Sequence, residues 1–190
     1  FLIFSNKYII NNDAVLRTTL SWSGTNIQDN FKFGDIGNEY ENYSTFKKGY
    51  FRLGVDLDNK INPKNFISTG FTASLLSYDF QEQIKIPYNT PPLDDFIQFN
   101  DVGNSGSFQS YVSWKYKPSE NLSFVNGIHL LHFFLNKETA IEPHSNVRWQ
   151  FHPKTAMFAG FGLHSRIESL DYYFANSIQP DGSTLDLNSN

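Results

Sequence analysis

The chain has 190 residues, a formal net charge of −4 and no cysteine, so it has neither a disulfide framework nor a thiol nucleophile, and no basic excess suggests a nucleic-acid surface. Aromatic residues make up 17% of the chain, whereas charged residues make up 18%, below the roughly 25% typical of soluble domains. This balance favours a β protein with one apolar and one polar face over a helical enzyme.

No apolar run approaches the roughly 18 consecutive residues of a membrane-spanning helix. The chain opens within an apolar segment, "FLIF", and stops within a polar one, "LDLNSN". We therefore expect it to be an internal piece of a longer protein.

Apolar and polar residues alternate along several stretches, which is the pattern of β-strands with two different faces. The clearest stretch is 141–151, where Val147 and Trp149 lie on one side and Arg148 on the other. The alternation predicts about eight strands, which in chain order are 1–5, 14–24, 49–57, 66–80, 108–116, 122–135, 141–151 and 155–165.

This alternation fits a soluble β-sandwich as well as a membrane barrel, so strand length and connections decide between them. Several predicted strands reach ten residues or more, near the about 9–11 residues of a tilted membrane strand. The short polar connections are 6–13, 58–65, 118–121 and 152–154. Short and long connections should alternate along the chain, and the short connection 136–140 is an exception to this order. The long ones are 25–45, 81–107 and the segment after 165. Short turns at one end and long loops at the other are typical of an outer-membrane β-barrel. We therefore predict an all-β, antiparallel, up-and-down transmembrane barrel.

In such a barrel the alternation assigns each side chain to lipid or to the lumen. The residues predicted to face lipid are Leu20, Trp22, Leu53, Val55, Phe71, Val112, Trp114, Val147, Trp149, Phe161 and Leu163. The residues predicted to face the lumen and to contact a plug or a ligand are Arg17, Arg52, Lys115, Arg148, His164 and Arg166. The long loops add Tyr40, Tyr43, Asp94, Asp95 and Phe96 as candidate extracellular contacts.

The stretch "LNKETAIEPHSNVRWQFHPKTAMFAGFGLHSRIESLDYYF", residues 135–174, resembles the C-terminal half of the barrel in TonB-dependent receptors of the bacteroidete outer membrane. The residues that carry the resemblance are Glu142, Pro143, Gly160, Gly162, His164, Ser165, Tyr173 and Phe174. His144 stands where the family commonly has Arg, which puts any role of that Arg in doubt here.

The resemblance implies a barrel of roughly 22 strands plugged by an N-terminal domain. Residues 1–190 would then belong to a single barrel domain, without the plug and the C-terminal strands. The family would bind a ligand at the cell surface and import it with energy from a TonB-like protein. Implied partners are outer-membrane lipid, the protein's own plug and the TonB-like protein, with a surface lipoprotein as a further candidate. The implied location is the outer membrane of a Gram-negative bacterium.

Two alternatives stay open, namely a soluble β-sandwich or jelly roll that binds carbohydrate, and a plain porin or structural barrel. We expect no enzyme, no cofactor and no metal site. His164 and Ser165 are adjacent in a predicted strand and should point to opposite faces, which disfavours a triad with Glu168. The five histidines lack a ligand spacing, although His144 and His164 could approach each other on neighbouring strands if the register allows.

The stretch 160–174 carries its own expectation. Residues 160–165 should form the upper part of a membrane strand, and 166–174 should continue beyond the membrane or fold over the barrel mouth. The run 172–174 has no alternating polar partner, so it should lie at the interface or in a packed loop.

Overall fold

The computed structural model describes residues 1–35, 38–85, 96–174, 176–178 and 184–186, and within them the chain is all-β apart from one helical turn. Eight strands form one antiparallel sheet in which each strand lies beside its neighbours in sequence. The sheet is not closed, because its two outermost strands pair on one side only among the described residues. None of the helical residues described forms a segment long and apolar enough to cross a membrane.

The strands of the sheet, in chain order, are β1 (Leu2–Ile9), β2 (Ala14–Asp35), β3 (Asn38–Asn62), β4 (Asn65–Lys85), β5 (Phe96–Ser119), β6 (Leu122–Phe133), β7 (Glu138–His152) and β8 (Thr155–Gly162). After them come a short helix, α1 (Leu170–Tyr173), and an antiparallel pair, β9 (Asn176–Ile178) and β10 (Thr184–Asp186). The predictions of an all-β fold and of about eight strands in the sheet are confirmed.

The short connections are tighter than predicted, because the strands continue into them. Only two residues separate β3 from β4, β5 from β6, and β7 from β8. In the first of these turns, Asn62 Oδ1 accepts hydrogen bonds from the backbone nitrogens of Lys64 and Asn65, both at 2.9 Å. An Asn side chain that bonds its own backbone in this way stabilises a turn without help from the rest of the fold.

The prediction of long loops at 25–45 and 81–107 is wrong. Most of 25–45 belongs to β2 and β3, and β4 and β5 run well into 81–107, whose residues 86–95 lie outside the described part. These stretches are polar and show no clean alternation. The backbone N–H and C=O groups of a strand bond to the neighbouring strands whatever its side chains are. Strands can therefore continue through polar segments that have no apolar face.

Contacts divide the chain into two compact units. The first unit comprises Phe1–Trp22, Phe51–Leu75 and Gly106–Arg166. The second unit comprises Ser23–Tyr50, Leu76–Ser105 and Ile167–Asn190. The long strands β2 to β5 contribute residues to both units, whereas β1, β6, β7 and β8 lie in the first unit alone.

The register of β7 fixes the two faces of the first unit, because residues opposite each other in an antiparallel pair share a face. Val147 lies opposite Phe124 and Ala159, whereas Arg148 lies opposite Ser123 and Phe158. The two side chains therefore point to opposite faces, as the alternation predicted. We call the face of Val147 the apolar face and the face of Arg148 the polar face.

Large apolar side chains on the apolar face are open to solvent in the described part of the chain. Trp149 is 53% exposed and Phe161 is 67% exposed. A cleft on the same face is lined by Val55, Phe71 and Val112. Because monomeric soluble proteins rarely leave large contiguous apolar patches bare, this face needs a covering.

The second unit has a small aromatic core built around Phe80, which is fully buried. The ring of Phe174 lies 4.7 Å from that of Tyr78 and 5.8 Å from that of Phe80, centroid to centroid. Phe46 packs on Phe80 at 5.5 Å, and Leu170 of α1 is 2% exposed. The expectation of a packed segment at 172–174 is confirmed for Phe174, whereas Tyr172 is 60% exposed and belongs to α1.

Candidate functional site

The predicted contact residues on the polar face are largely engaged with their own sheet. Arg17 Nη1 lies 2.5 Å from Asp58 Oδ2, while Ser68 Oγ donates to Asp58 Oδ1, also at 2.5 Å. The Arg17 side chain is exposed, so this ion pair adds little stability but fixes where the guanidinium lies. Arg17 is thus positioned by its neighbours in the first unit.

The other predicted cations of this face are held in different ways. Arg148 Nη2 donates to Gln150 Oε1 at 2.8 Å, and its guanidinium carbon lies 5.7 Å from the centroid of the Phe158 ring. Arg52 and Lys115 are half-buried, and Arg52 is engaged in an interaction. Arg166 is exposed and engaged as well.

A carboxylate on the polar face, Glu142, joins three segments of the first unit. Its Oε2 lies 2.8 Å from His129 Nδ1, across the β6–β7 ladder. Its Oε1 accepts the backbone N–H of Ser165 at 2.7 Å and the Ser165 hydroxyl. Glu142 is 7% exposed, so the three hydrogen bonds compensate the burial of its charge. The alternation along 141–151 puts Glu142 on the same side as Arg148, but it predicts neither partner.

The Glu142 cluster also explains where β8 ends. The strand was predicted to run to Ser165, which is wrong, since it stops at Gly162. The Leu163 N–H still donates to the Pro143 carbonyl at 3.1 Å, and beyond it the chain turns to Glu142 instead of following the ladder.

The Ser165 hydroxyl donates to a carboxylate and not to a histidine base. A nucleophilic serine needs a general base within reach, so this arrangement carries no triad. Ser165 therefore holds the chain in place after β8.

His144 and His164 both lie over Gly162, on the polar face. A Cβ atom added at Gly162 would lie 3.3 Å from His144 Cβ and 3.0 Å from His164 Nε2. The two histidines therefore come close to each other, although His164 lies beyond the end of β8 and not on a strand. Among the described residues, no group of three or more His, Cys, Asp or Glu residues is arranged to hold a metal ion.

The predicted loop residues have different outcomes. Tyr40 and Tyr43 belong to β3, and Phe96 is the first residue of β5, so their assignment to loops is wrong. Asp94 and Asp95 lie outside the described residues. These residues lie in strands because β3 and β5 extend by backbone pairing into the stretches predicted as loops.

Tyr43 is exposed and belongs to a small polar network. Its hydroxyl donates to Glu41 Oε2 at 2.8 Å, and Lys32 pairs with the same carboxylate. This hydrogen bond to Glu41 raises the pKa of Tyr43, because ionisation would remove the donor proton and place two negative charges side by side. Tyr43 therefore stays neutral and presents a phenol ring to solvent.

A cleft of about 430 Å³ opens next to Tyr43 in the second unit. Its lining contains two carboxylates, Asp29 and Glu82, and the hydroxyls of Tyr43, Ser44 and Thr45. Three glutamines and two asparagines complete it, and no Lys, Arg or His takes part among the described residues. It is a polar, hydrogen-bonding cleft whose fixed charges are negative.

The cleft lies in the acidic part of the chain. The second unit contains 13 Asp and Glu residues against 4 Lys and Arg, a formal charge of −9. The first unit contains 6 acidic against 11 basic residues, a formal charge of +5. The net charge of −4 thus conceals a strong segregation, which sequence reasoning missed because it treated the chain as a whole.

Comparisons with known proteins were made at three levels. No family model, no curated protein and no solved structure matches the chain. The resemblance of residues 135–174 to TonB-dependent receptors therefore gains no support from these comparisons.

Proposed function

We propose that the chain is part of the β-barrel of an outer-membrane receptor that binds a ligand at the cell surface and imports it with TonB-supplied energy. The observation that carries this proposal is the uncovered apolar face of an antiparallel sheet whose opposite face is polar and hydrogen-bonded. A barrel in a bilayer has this arrangement, with lipid on one face and a polar lumen on the other.

Strand lengths in the first unit support a membrane span. The segments of β2 to β5 within it are 14–22, 51–62, 65–75 and 106–119, and β6 has 12 residues. A tilted membrane strand needs about 9–11 residues. We assign the membrane span to the first unit, and the acidic second unit takes no part in it.

Aromatic side chains near the two-residue turns give further support. Trp114 stacks on Tyr116 at 5.5 Å and Tyr116 on Phe124 at 6.5 Å, beside the β5–β6 turn. Trp149 and Phe151 lie 5.6 Å apart, beside the β7–β8 turn. Rows of aromatic residues at this level are what a barrel presents to the membrane interface.

A soluble sandwich has less support than the barrel. Sandwiches bury one face of each sheet against a second sheet. Within the described residues, the only other sheet is the pair of three-residue strands β9 and β10, both in the second unit. A plain porin shares every feature of the first unit, so it differs from our proposal only in the plug and in energy coupling.

The two open edges fit a larger barrel. All eight residues of β1 are exposed, and the edge of β8 away from β7 has no partner strand among those described. Long exposed edges invite pairing with another strand. In our proposal further strands of the same barrel cover both edges, and His164 and Arg166 contact the plug or the ligand.

Four measurements on the full-length protein that contains this chain test the proposal. The protein should fractionate with the outer membrane, need detergent for extraction and migrate differently in gel electrophoresis before and after boiling. It should also be captured by the periplasmic domain of a TonB-like protein. Solubility without detergent would refute the barrel, whereas a heat-modifiable barrel with no TonB capture would leave a porin.

A further inference from the structure

We propose that the cleft beside Tyr43 binds an organic cation, a ligand that carries one or more amines. The inference rests on the proposed function for its biological role, since it names the ligand class of the same receptor. The binding site itself stands on the second unit alone.

Charge is the first reason. Asp29 and Glu82 are the only ionised groups in the described lining of the cleft. The unit around them has a formal charge of −9. An anionic ligand would meet repulsion from both sources, and a cation would be attracted by both. Because these carboxylates are at least partly exposed, salt should weaken the attraction.

Hydrogen-bonding capacity is the second reason. An ammonium group has three donors and no acceptor, so it matches carboxylates directly. The glutamine, asparagine and hydroxyl groups of the lining can bind the remaining polar atoms of the ligand. The exposed ring of Tyr43 adds a surface on which a cation can stack.

The placement of Glu82 is the third reason. Asn42, next to Tyr43 on β3, donates through Nδ2 to Glu82 Oε1 at 3.2 Å. This hydrogen bond fixes the carboxylate in the lining of the cleft. A carboxylate has about four lone-pair sites, so Glu82 can accept further hydrogen bonds from a ligand amine.

The test uses the purified full-length protein in detergent and three capped dipeptides of similar size, studied by calorimetry. The amine probe is dilysine, the neutral probe is the same peptide with acetylated side chains, and the anionic probe is diglutamate. Spermidine serves as a second amine probe. We expect binding of the two amine probes, at least tenfold weaker binding of the acetylated peptide and no binding of diglutamate.

Variants locate the site. Asp29→Asn and Glu82→Gln should each weaken the binding of dilysine about three- to tenfold, since each removes one partly exposed charge pair. Glu168→Gln is the matched control, because Glu168 lies in the same unit and is exposed, but is not among the residues that line the cleft. It should change the affinity less than twofold.

The inference is overturned if neither amine probe binds, if the acetylated peptide or diglutamate binds as well as dilysine, or if Glu168→Gln has the same effect as Asp29→Asn. The same experiments distinguish a failure of this inference from a failure of the proposed function. A heat-modifiable barrel that binds no amine overturns the inference alone. A protein that binds amines but needs no detergent overturns the proposed function alone.

Discussion

Gly127 of β6 lies directly below the imidazole of His144 on the neighbouring strand. A Cβ atom at this position would overlap His144 Nε2 and would lie 2.8 Å from the carbonyl oxygen of Val112 on the other side. The backbone oxygen cannot move without disturbing β5. We expect Gly127→Ala to lower the free energy of unfolding by about 1–3 kcal/mol, the usual cost of overpacking, as measured by urea unfolding in detergent.

Gly24 is the matched control for Gly127. A Cβ atom there would meet only the carbonyl oxygen of Lys48, at the ordinary contact distance of 3.5 Å. Since alanine loses less backbone entropy than glycine in a strand, Gly24→Ala should be neutral or stabilise by up to about 1 kcal/mol. Equal losses for both variants would mean that strand glycine in general, and not the space at Gly127, sets the cost.

Val147 and its neighbour Asn146 test the two faces at single-residue resolution. Val147→Arg places a charge on the apolar face and should cost about 2–4 kcal/mol near the bilayer midplane, and less near an interface. Asn146→Arg, one residue earlier, places the same charge on the polar face and should cost less than about 1 kcal/mol. Refolding into lipid vesicles measures both, and a similar cost for the two variants would contradict the assignment of faces.

At this scale the sequence predicts which face a side chain occupies, but not which partner it finds. The period of two along β7 is enough to separate Val147 from Arg148. The bonds between Glu142 and Ser165 span 23 residues and depend on where β8 stops pairing. The period of two along a strand does not show where that strand stops pairing, so it could not predict the contact between Glu142 and Ser165.

At the scale of elements, α1 and the residue after it hold the chain segment that follows β8. Phe174 contacts Tyr78 and Phe80, and Lys48 Nζ lies 3.1 Å from Ser169 Oγ. Phe174→Ala should release this segment, because it removes an aromatic anchor worth several kcal/mol, about 3–5 when fully buried. The strands of the first unit should stay intact, since none of these contacts belongs to them.

Limited proteolysis with chymotrypsin checks this prediction. Phe174→Ala should increase cleavage at Tyr172 and Tyr173 severalfold, with the sheet still protected. Tyr172→Ala is the control, because Tyr172 is 60% exposed. Since this change removes one of the two cleavage sites, its cleavage is compared at Tyr173 alone and should be unchanged. Unchanged cleavage in the Phe174 variant would mean that other contacts fix the segment.

The turns were easier to predict than the extent of the strands. Asn, Pro and Lys cluster at the β3–β4 turn, and Asn62 closes it by local hydrogen bonds. The outer parts of β2 to β5 depend on pairing with neighbours that are far away in sequence. Polar composition alone therefore made residues 25–45 look like a loop, although β2 continues to Asp35.

For the whole molecule, the two features that support a membrane barrel are the segregation of charge and the uncovered apolar face. The first unit combines a basic excess with exposed apolar side chains, and the second combines an acidic excess with a small aromatic core. Such a division is expected when one part of a chain contacts lipid and the other contacts water and a ligand. The fold class could be predicted from the alternation of apolar and polar residues. The charge of each unit could not, because the structure is needed to define the units.

The most direct test of the central claim is a spin-label scan of β7 in lipid vesicles. This chain has no cysteine, so single cysteines introduced at positions 145 to 150 can be labelled specifically once any cysteine elsewhere in the full-length protein has been replaced. We predict that accessibility to oxygen, which concentrates in lipid, peaks at 145, 147 and 149. Accessibility to a water-soluble nickel complex should be lowest at these positions and higher at 146, 148 and 150. Equal accessibility of both sets to the nickel complex, or the reversed alternation, would contradict a membrane-spanning sheet with its apolar face in lipid.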